Sequence, residues 1–428
     1  MYHIPVARPV PGARPLVSAS LVGLALAVVA AVLDLVPSFG VLALIQAHVA
    51  LALFAFLAPA LAAMTVHSVE SVLHRPVDAA RVKRLAVLWL AGGGVLAVSA
   101  ACASVPAIPL VLTRVGLGLG SLVLAAAAGM TTGALLGMLP KRKESVVDVA
   151  RDPLTKGDDA SVTHLRFAQF FLPLAVLLVA LLGPWWGWSA AWTHDVYVAG
   201  IHLLGVHVLV SCYGLAHLWV PRLSGVPAIA AGAIKGELHS TLLGLLFLLF
   251  GFGFGIRGLI IAGGAFAFLG AFTFMGVIGA NIMRNKSKTQ RVTAEFTYIP
   301  WAFTAVFWLI CGVLLGIFLN VVPSLYADRV AALRFTHVHI ALLGGAAQVL
   351  LALAWRVVPA SRGVGPPPFS RGRWGYWGLN LGLALLIVGR FREEFLPVTY
   401  LVGAILVTLG LAASFMTLGR HGRVRPAT

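Results

Sequence analysis

The chain is predicted to be all-α, a polytopic membrane protein of about twelve transmembrane helices in three pseudo-repeated arcs of four. Three observations predict this. Apolar residues make up 60% of 428 and charged residues only 11%, against roughly a quarter charged in soluble domains. Apolar runs of about 20 residues, each enough to cross the hydrocarbon layer, recur down the whole sequence. Lys and Arg also alternate between the two sides that those runs define. With the N-terminus placed in the cytoplasm, Arg114, Arg257, Arg329, Arg334, Arg390 and Arg392 are the six outside and the rest of the 31 fall inside. That asymmetry follows the positive-inside rule, predicts both termini in the cytoplasm, and supports an even number of spans.

The spans follow in order. The first, 16–36, stands behind Arg8 and Arg14 and reads as an uncleaved anchor, since eleven more follow. Spans at 40–63, 85–105 and 109–138 come next, the last long enough to be tilted or partly interfacial. The segment at about 140–166, with Lys141-Arg142-Lys143 and Asp158-Asp159, reads as a cytoplasmic linker within a single integral membrane domain, 1–428. Span five is 167–184. Trp185, Trp186, Trp188 and Trp192 then form an interfacial aromatic belt before span six, 195–220. The remaining spans are 238–256, 259–283, 299–321, 335–358, 375–390 and 396–418. Pro366-Pro367-Pro368 stiffens the last inner loop.

The formal charge of +17 is explained by this topology and by anionic headgroups at the inner surface, so no nucleic-acid partner is expected. Cys102, Cys212 and Cys311 lack the spacing of a zinc site or a covalent haem attachment. No phosphate-cradling loop or nucleophile elbow occurs either.

Ionisable side chains inside a membrane are costly and mark functional sites by default. His337-Val338-His339 opens span ten. Residues two apart on a helix are rotated by about 200°, so the imidazoles leave opposite faces. One metal cannot easily use both, but two haems, one on each side, can. Spans two, six and ten all run inward, and each carries a histidine in its outer part: His48, His202, and the pair. Ligands at one depth on three like-oriented helices are what a bundle-core cofactor site needs. His207 is open between a second partner in that site and a satisfied interhelical hydrogen bond. His67, His74, His164, His217 and His239 read as cytoplasmic-surface residues satisfied by lipid or solvent. All 14 carboxylates are expected in loops or near span ends, with Glu237 among the nearest to the membrane. A buried proton relay is therefore not expected.

Thr336-His337-Val338-His339 with Leu343-Gly344 resembles the tenth-helix motif of haem-copper oxidase subunit I, closest to the cbb3-type enzymes. Gln46-Ala47-His48 with Phe54-Ala55-Phe56 resembles that family's second helix, and Trp219-Val220-Pro221-Arg222 the end of its copper-bearing sixth. The resemblance spans essentially all twelve helices but is specific only in spans two and ten. It implies two haems, expected to be b-type: His48 and His339 sharing a low-spin iron, and His337 holding a high-spin one. It further implies that Arg390 and Arg392 hold propionates and that His202 is a vestigial ligand of the second metal. The departures bear on copper. The family's paired seventh-helix histidines fall, by alignment from His239, at Gly253 and Phe254, and its active-site tyrosine has no counterpart. An ordinary copper centre is not expected, since Cu(II) prefers several nitrogen ligands.

Three functions are carried forward. The first is a respiratory-chain oxidoreductase, terminal-oxidase-like or nitric oxide reductase-like, with a high-spin haem that binds oxygen or nitric oxide. The second is a non-catalytic haem sensor, electron conduit or nitric-oxide-response protein on the same fold; the nitric-oxide-stress family's His-x-His-Glu-Met motif is incomplete, with Gln46 and Val49 at its first and fourth places. The third is a twelve-span transporter. The first implies an electron-donor protein or quinol and other respiratory subunits as partners, in a cytoplasmic-type (inner) membrane.

Overall fold

A computed structural model of the chain describes residues 11–34, 43–73, 75–103, 105–139, 156–186, 191–224, 228–284, 299–322, 329–360, 364, 366–391 and 396–421. Among these there are no strands, and the chain is helical almost throughout. Twelve long helices follow one another: α1 Arg14–Leu33, α2 Leu44–Ser71, α3 Ala79–Cys102, α4 Leu110–Met138, α5 Lys156–Leu182, α6 Ala191–Ser224, α7 Ala231–Gly253, α8 Arg257–Arg284, α9 Ile299–Val321, α10 330–360, α11 Phe369–Phe391 and α12 Leu396–Arg420. Eleven are long and apolar enough to cross a membrane. The exception, α11, is diluted by Arg371, Arg373 and Asn380, yet it packs along α12 as extensively as any pair in the molecule.

The protein is an all-α, polytopic membrane protein. Sequential helices pack as antiparallel neighbours, α3 with α4, α5 with α6, α7 with α8 and α11 with α12. α1 touches α12, bringing the two ends of the helix series together. Inside lie α2, α6 and α10, each of which contacts the other two. Their apolar windows are 78%, 72% and 67% buried, while no other reaches half. Every fourth helix, starting from the second, is thus an inner one, as three arcs of four require. Outer helices turn side chains such as Val98, Val111 and Leu122 outward, toward lipid.

Helix boundaries moved for local reasons. α5 begins at Lys156, so the last part of the expected linker is helical. Asp158 and Asp159 lie in its first turn, where carboxylates favour the positive end of the helix dipole. Residues 140–155 lie outside those described.

Two of the inner helices are not regular. Three residues after His48, α2 widens into π-helix over Leu51–Leu57. Directly after His339, α10 does the same over Ile340–Ala347. In α2 the cause is Pro59, which lacks an N–H and whose ring crowds the carbonyl four residues back, that of Ala55. This carbonyl lies against Gly23 of α1, where a Cβ would collide with it. Wide turns are found mostly at functional sites, and here both fall just below the histidines.

A bulky side chain at position 23 has no room. Gly23→Leu is expected to force α1 off α2 and to cost roughly 1–3 kcal/mol, as overpacking does. A lowered unfolding midpoint in detergent, with Gly118→Leu unchanged because nothing faces that glycine, checks this.

Candidate functional site: a tier of imidazoles on the inner helices

The N-terminal parts of α2, α6 and α10 bring four histidines into two pairs. His202 of α6 and His337 of α10 lie with ring centroids 6.3 Å apart and planes within 24°. His339, on the other face of α10, is close enough to His48 of α2 to interact electrostatically. Opposite-face projection from a single helix, expected from the two-residue spacing, is what separates the pairs.

Each of the four rings is oriented in the same way. His48 donates Nδ1–H to the Ala27 carbonyl of α1 at 2.8 Å, and His337 to that of Gly312 in α9 at 2.8 Å. His202 and His339 use their own helices, donating to Val198 at 2.8 Å and Phe335 at 2.9 Å. A neutral imidazole that donates from Nδ1 keeps the lone pair on Nε2. This fixed tautomer is the second-layer arrangement typical of histidine metal ligands.

The slot for His337 is cut by glycine. Gly316, one turn further along α9 than Gly312, faces the His337 ring so closely that a Cβ there would lie 2.8 Å from Cε1. Beside His339, the Phe335 ring stacks at 3.8 Å and the Arg390 guanidinium lies 5.6 Å from the centre of that ring. Arg390 therefore stands at the outer edge of the His48–His339 pair. Arg392 lies outside the described residues, as do Glu393 and Glu394.

The second-metal expectation can be tested on neighbours. Phe254 is 71% exposed and stacks on Phe250, away from the histidines. The seventh helix instead presents Phe252 to His202, with centroids 4.4 Å apart. Where copper would need nitrogen, His202 meets a phenyl ring and His337. His207 does not join the tier: five residues after His202, it leaves α6 on the side that meets α5, where its Nδ1 donates to the Ala168 carbonyl at 2.7 Å, an interhelical fastening.

Three residues read as surface-exposed are not so. His67 is 5%, His164 0% and His217 2% exposed. His67 stacks on Trp219, with centroids 5.8 Å apart. His164 and His217 meet Glu237, which is 0% exposed, at the other end of the bundle. Nε2 of His217 lies 2.6 Å from Glu237 Oε2, and Nε2 of His164 lies 3.4 Å from Oε1. The expectation that His67, His164 and His217 lie at the cytoplasmic surface, satisfied by lipid or solvent, is corrected accordingly. For His164 the error was one of depth, since α5 starts at Lys156, before its apolar run, and carries His164 inside a helix; His217 lay within its expected span and is buried against Glu237 of α7. The nearness of Glu237 to the start of an apolar run was the only sequence signal. His239 is exposed, as expected, and His74 lies outside the described residues.

A polar ladder ties α9, α10 and α11 below the tier. Gln348 and Trp308 both donate to Asn380 Oδ1, at 2.9 and 2.8 Å. Asn380→Leu would strand two donors, at a cost of about 1–3 kcal/mol for each one left buried and unsatisfied. Its unfolding midpoint should fall well below that of Asn380→Asp, which keeps an acceptor.

No protein-family model and no curated protein matches the chain.

Proposed function

We propose that the chain is a haem-binding membrane oxidoreductase of a cytoplasmic-type membrane, with both termini inside. It would pass electrons from a low-spin haem between His48 and His339 to a second haem on His337. The carrying observation is that α10 offers one imidazole to each of two inner helices. All four rings of the two pairs commit Nδ1 to a backbone carbonyl and keep Nε2 as a donor to iron. The residues also fit two imidazoles on one iron. His202 and His337, with ring centroids 6.3 Å apart, would leave room for an ion between them, and His48 and His339 are near enough to interact.

When bound, haem supplies a redox-active iron and, if one axial position is open, a place for oxygen or nitric oxide. The chain's own residues orient the imidazoles, exclude water and offset propionate charge. Arg390, the described cation at the His339 edge, suits that last task because guanidinium binds carboxylates in a bidentate fork. The residues beside His202 do not fit copper, and no step is assigned to it. A reduced quinol or a small electron-carrier protein is the donor class this reading requires.

His202 opposite His337 favours a second reading on the same site. If both irons have two imidazole ligands, the protein is an electron conduit rather than a reductase. Carbon monoxide separates the two: a shifted spectrum of the reduced protein shows an open iron, and an unchanged one shows a closed pair. Sustained oxygen or nitric oxide consumption from a reduced donor would then establish turnover.

Iron and haem quantified on the purified protein test the whole proposal. Two haems per chain are expected. His48→Ala or His339→Ala should remove the low-spin signature and spare most of the second haem. Gly316→Val should do the reverse, by displacing His337. Protein made with ample haem yet free of iron would defeat this reading and favour a transporter.

Arg390→Gln is expected to lower the reduction potential of the low-spin haem, since removing nearby positive charge favours the oxidised iron. Redox titration reads this directly, and an unchanged potential would remove Arg390 from the site.

A further inference from the structure

Glu237, His164 and His217 converge from three different helices, at the opposite end of the bundle from the imidazole tier. His202 and His217 are both on α6, fifteen residues apart, or about 22 Å along a helix rising 1.5 Å per residue. The lower cluster is thus a separate place. We propose that it is a binding site for a divalent first-row metal ion, held by His164, His217 and Glu237.

The donor set is the first support. Two imidazoles and one carboxylate form a recurring set for zinc and for non-haem ferrous iron, in sites that keep room for further ligands. One ligand atom from each of the three residues already lies within 4.8 Å of the other two. A tetrahedral ion with bonds of about 2.1 Å keeps its ligands roughly 3.4 Å apart. His164 Nε2 and Glu237 Oε1 stand at 3.4 Å, while His217 Nε2 meets the other oxygen, Oε2, at 2.6 Å, a contact that has to open around an ion.

The second support is an imbalance of buried polar atoms. His164 Nε2, Glu237 Oε1, His217 Nδ1 and the Tyr213 hydroxyl are all buried and lack a hydrogen-bond partner. Unpaired polar atoms inside a protein are expensive, and an ion held among the three residues would satisfy His164 Nε2 and Glu237 Oε1 together. Tyr213 is one turn before His217, and Phe274 packs against both rings, at 4.3 and 5.4 Å. The hydroxyl or a water can complete the coordination.

The third support is orientation. His164 contacts the Ala160 carbonyl through Nδ1 at 3.1 Å, which leaves Nε2 for a metal, as the second layer of a metal site does. Close approach of α5 and α6 here depends on Gly214. A Cβ at that position would lie 2.9 Å from the Cβ of His164 and 3.0 Å from the Ser161 carbonyl. The protein spends a glycine to bring these two histidines together.

The test uses the full chain in detergent, loaded with Zn2+ or Co2+ and washed with a chelator. About one equivalent of zinc should remain, and cobalt should give visible d–d bands. Glu237→Gln and His164→Gln should each lower retention at least tenfold. His48→Ala and His337→Ala should leave it unchanged, even where they remove haem, so the two proposals fail separately. Retention equal in wild type and Glu237→Gln would overturn the site, pointing to surface histidines such as His239. Absence of cobalt bands in the wild type would also overturn it, leaving a carboxylate that shares protons with two imidazoles. Should the variants not fold, X-ray absorption of the zinc-loaded wild type decides: two imidazoles with one carboxylate supports the site, and a shell without carboxylate refutes it.

Discussion

An imidazole inside the hydrocarbon layer is tolerable only if its polar atoms find partners within the protein, and this requirement shapes the bundle. Water is absent there, so each unsatisfied donor costs several kcal/mol. His48, His202, His337 and His339 each meet it by spending Nδ1 on a main-chain carbonyl. Helix carbonyls are normally committed to the helix, so a second donor can reach one only where helices crowd closely or the ring folds back along its own helix. α10 uses both solutions. His337 crosses to Gly312, in a groove that Gly316 keeps open, while His339 turns back to Phe335. That choice leaves Nε2 of each ring as the nitrogen that carries the lone pair.

The helix irregularities belong to the same account. A π-type turn inserts extra backbone without breaking the helix, so the face presented above it is decoupled from the face packed below. In α10 the lower half must bury Ala346, Ala347, Leu350 and Leu351 against its neighbours, while the upper end must aim two histidines at different helices. In α2 the lower half is buried nearly all round, from Leu57 to Val69, while His48 must face α10. A regular helix would fix one orientation by the other. The wide turns at Leu51–Leu57 and Ile340–Ala347 let helix packing and the direction of the histidines be set independently.

Much of the fold was legible because lipid imposes a simple code. Apolar run length located nearly every helix, and the four-span recurrence of outer histidines at His48, His202 and His337 anticipated which three would be inner ones. Hydropathy alone failed where helices outrun the hydrocarbon. Neither Lys156–Arg166 nor Thr65–Ser71 reads as apolar, yet both are helical. That failure hid His67 and His164, since a polar residue beyond an apolar run looks like a surface residue. The π-type turns were also invisible: Pro59 signals a disturbance in α2, but nothing comparable stands in Ile340–Ala347. The opposed directions of His337 and His339 were readable from geometry. The position of Phe252 beside His202 was not, because it depends on where α7 ends.

α6 is where the two polar places are joined. It bears His202 at the outer tier and Tyr213, Gly214 and His217 at the inner cluster, with buried Val206, Val208 and Val210 between. No row of ionisable side chains connects them along this helix. His207, the one histidine between, is tied to Ala168 and fastens α6 to α5 rather than passing anything on. A buried relay would need closely spaced ionisable groups with water between them, and α6 instead offers an apolar wall. The inner cluster is therefore better understood as a local anchor of α5, α6 and α7 than as the lower end of a path. α5 and α7 are the helices that flank α6, and Glu237 binds both His164 of one and His217 of the central helix. Fixing that junction also fixes the tilt of α6, and with it the position of His202 opposite His337.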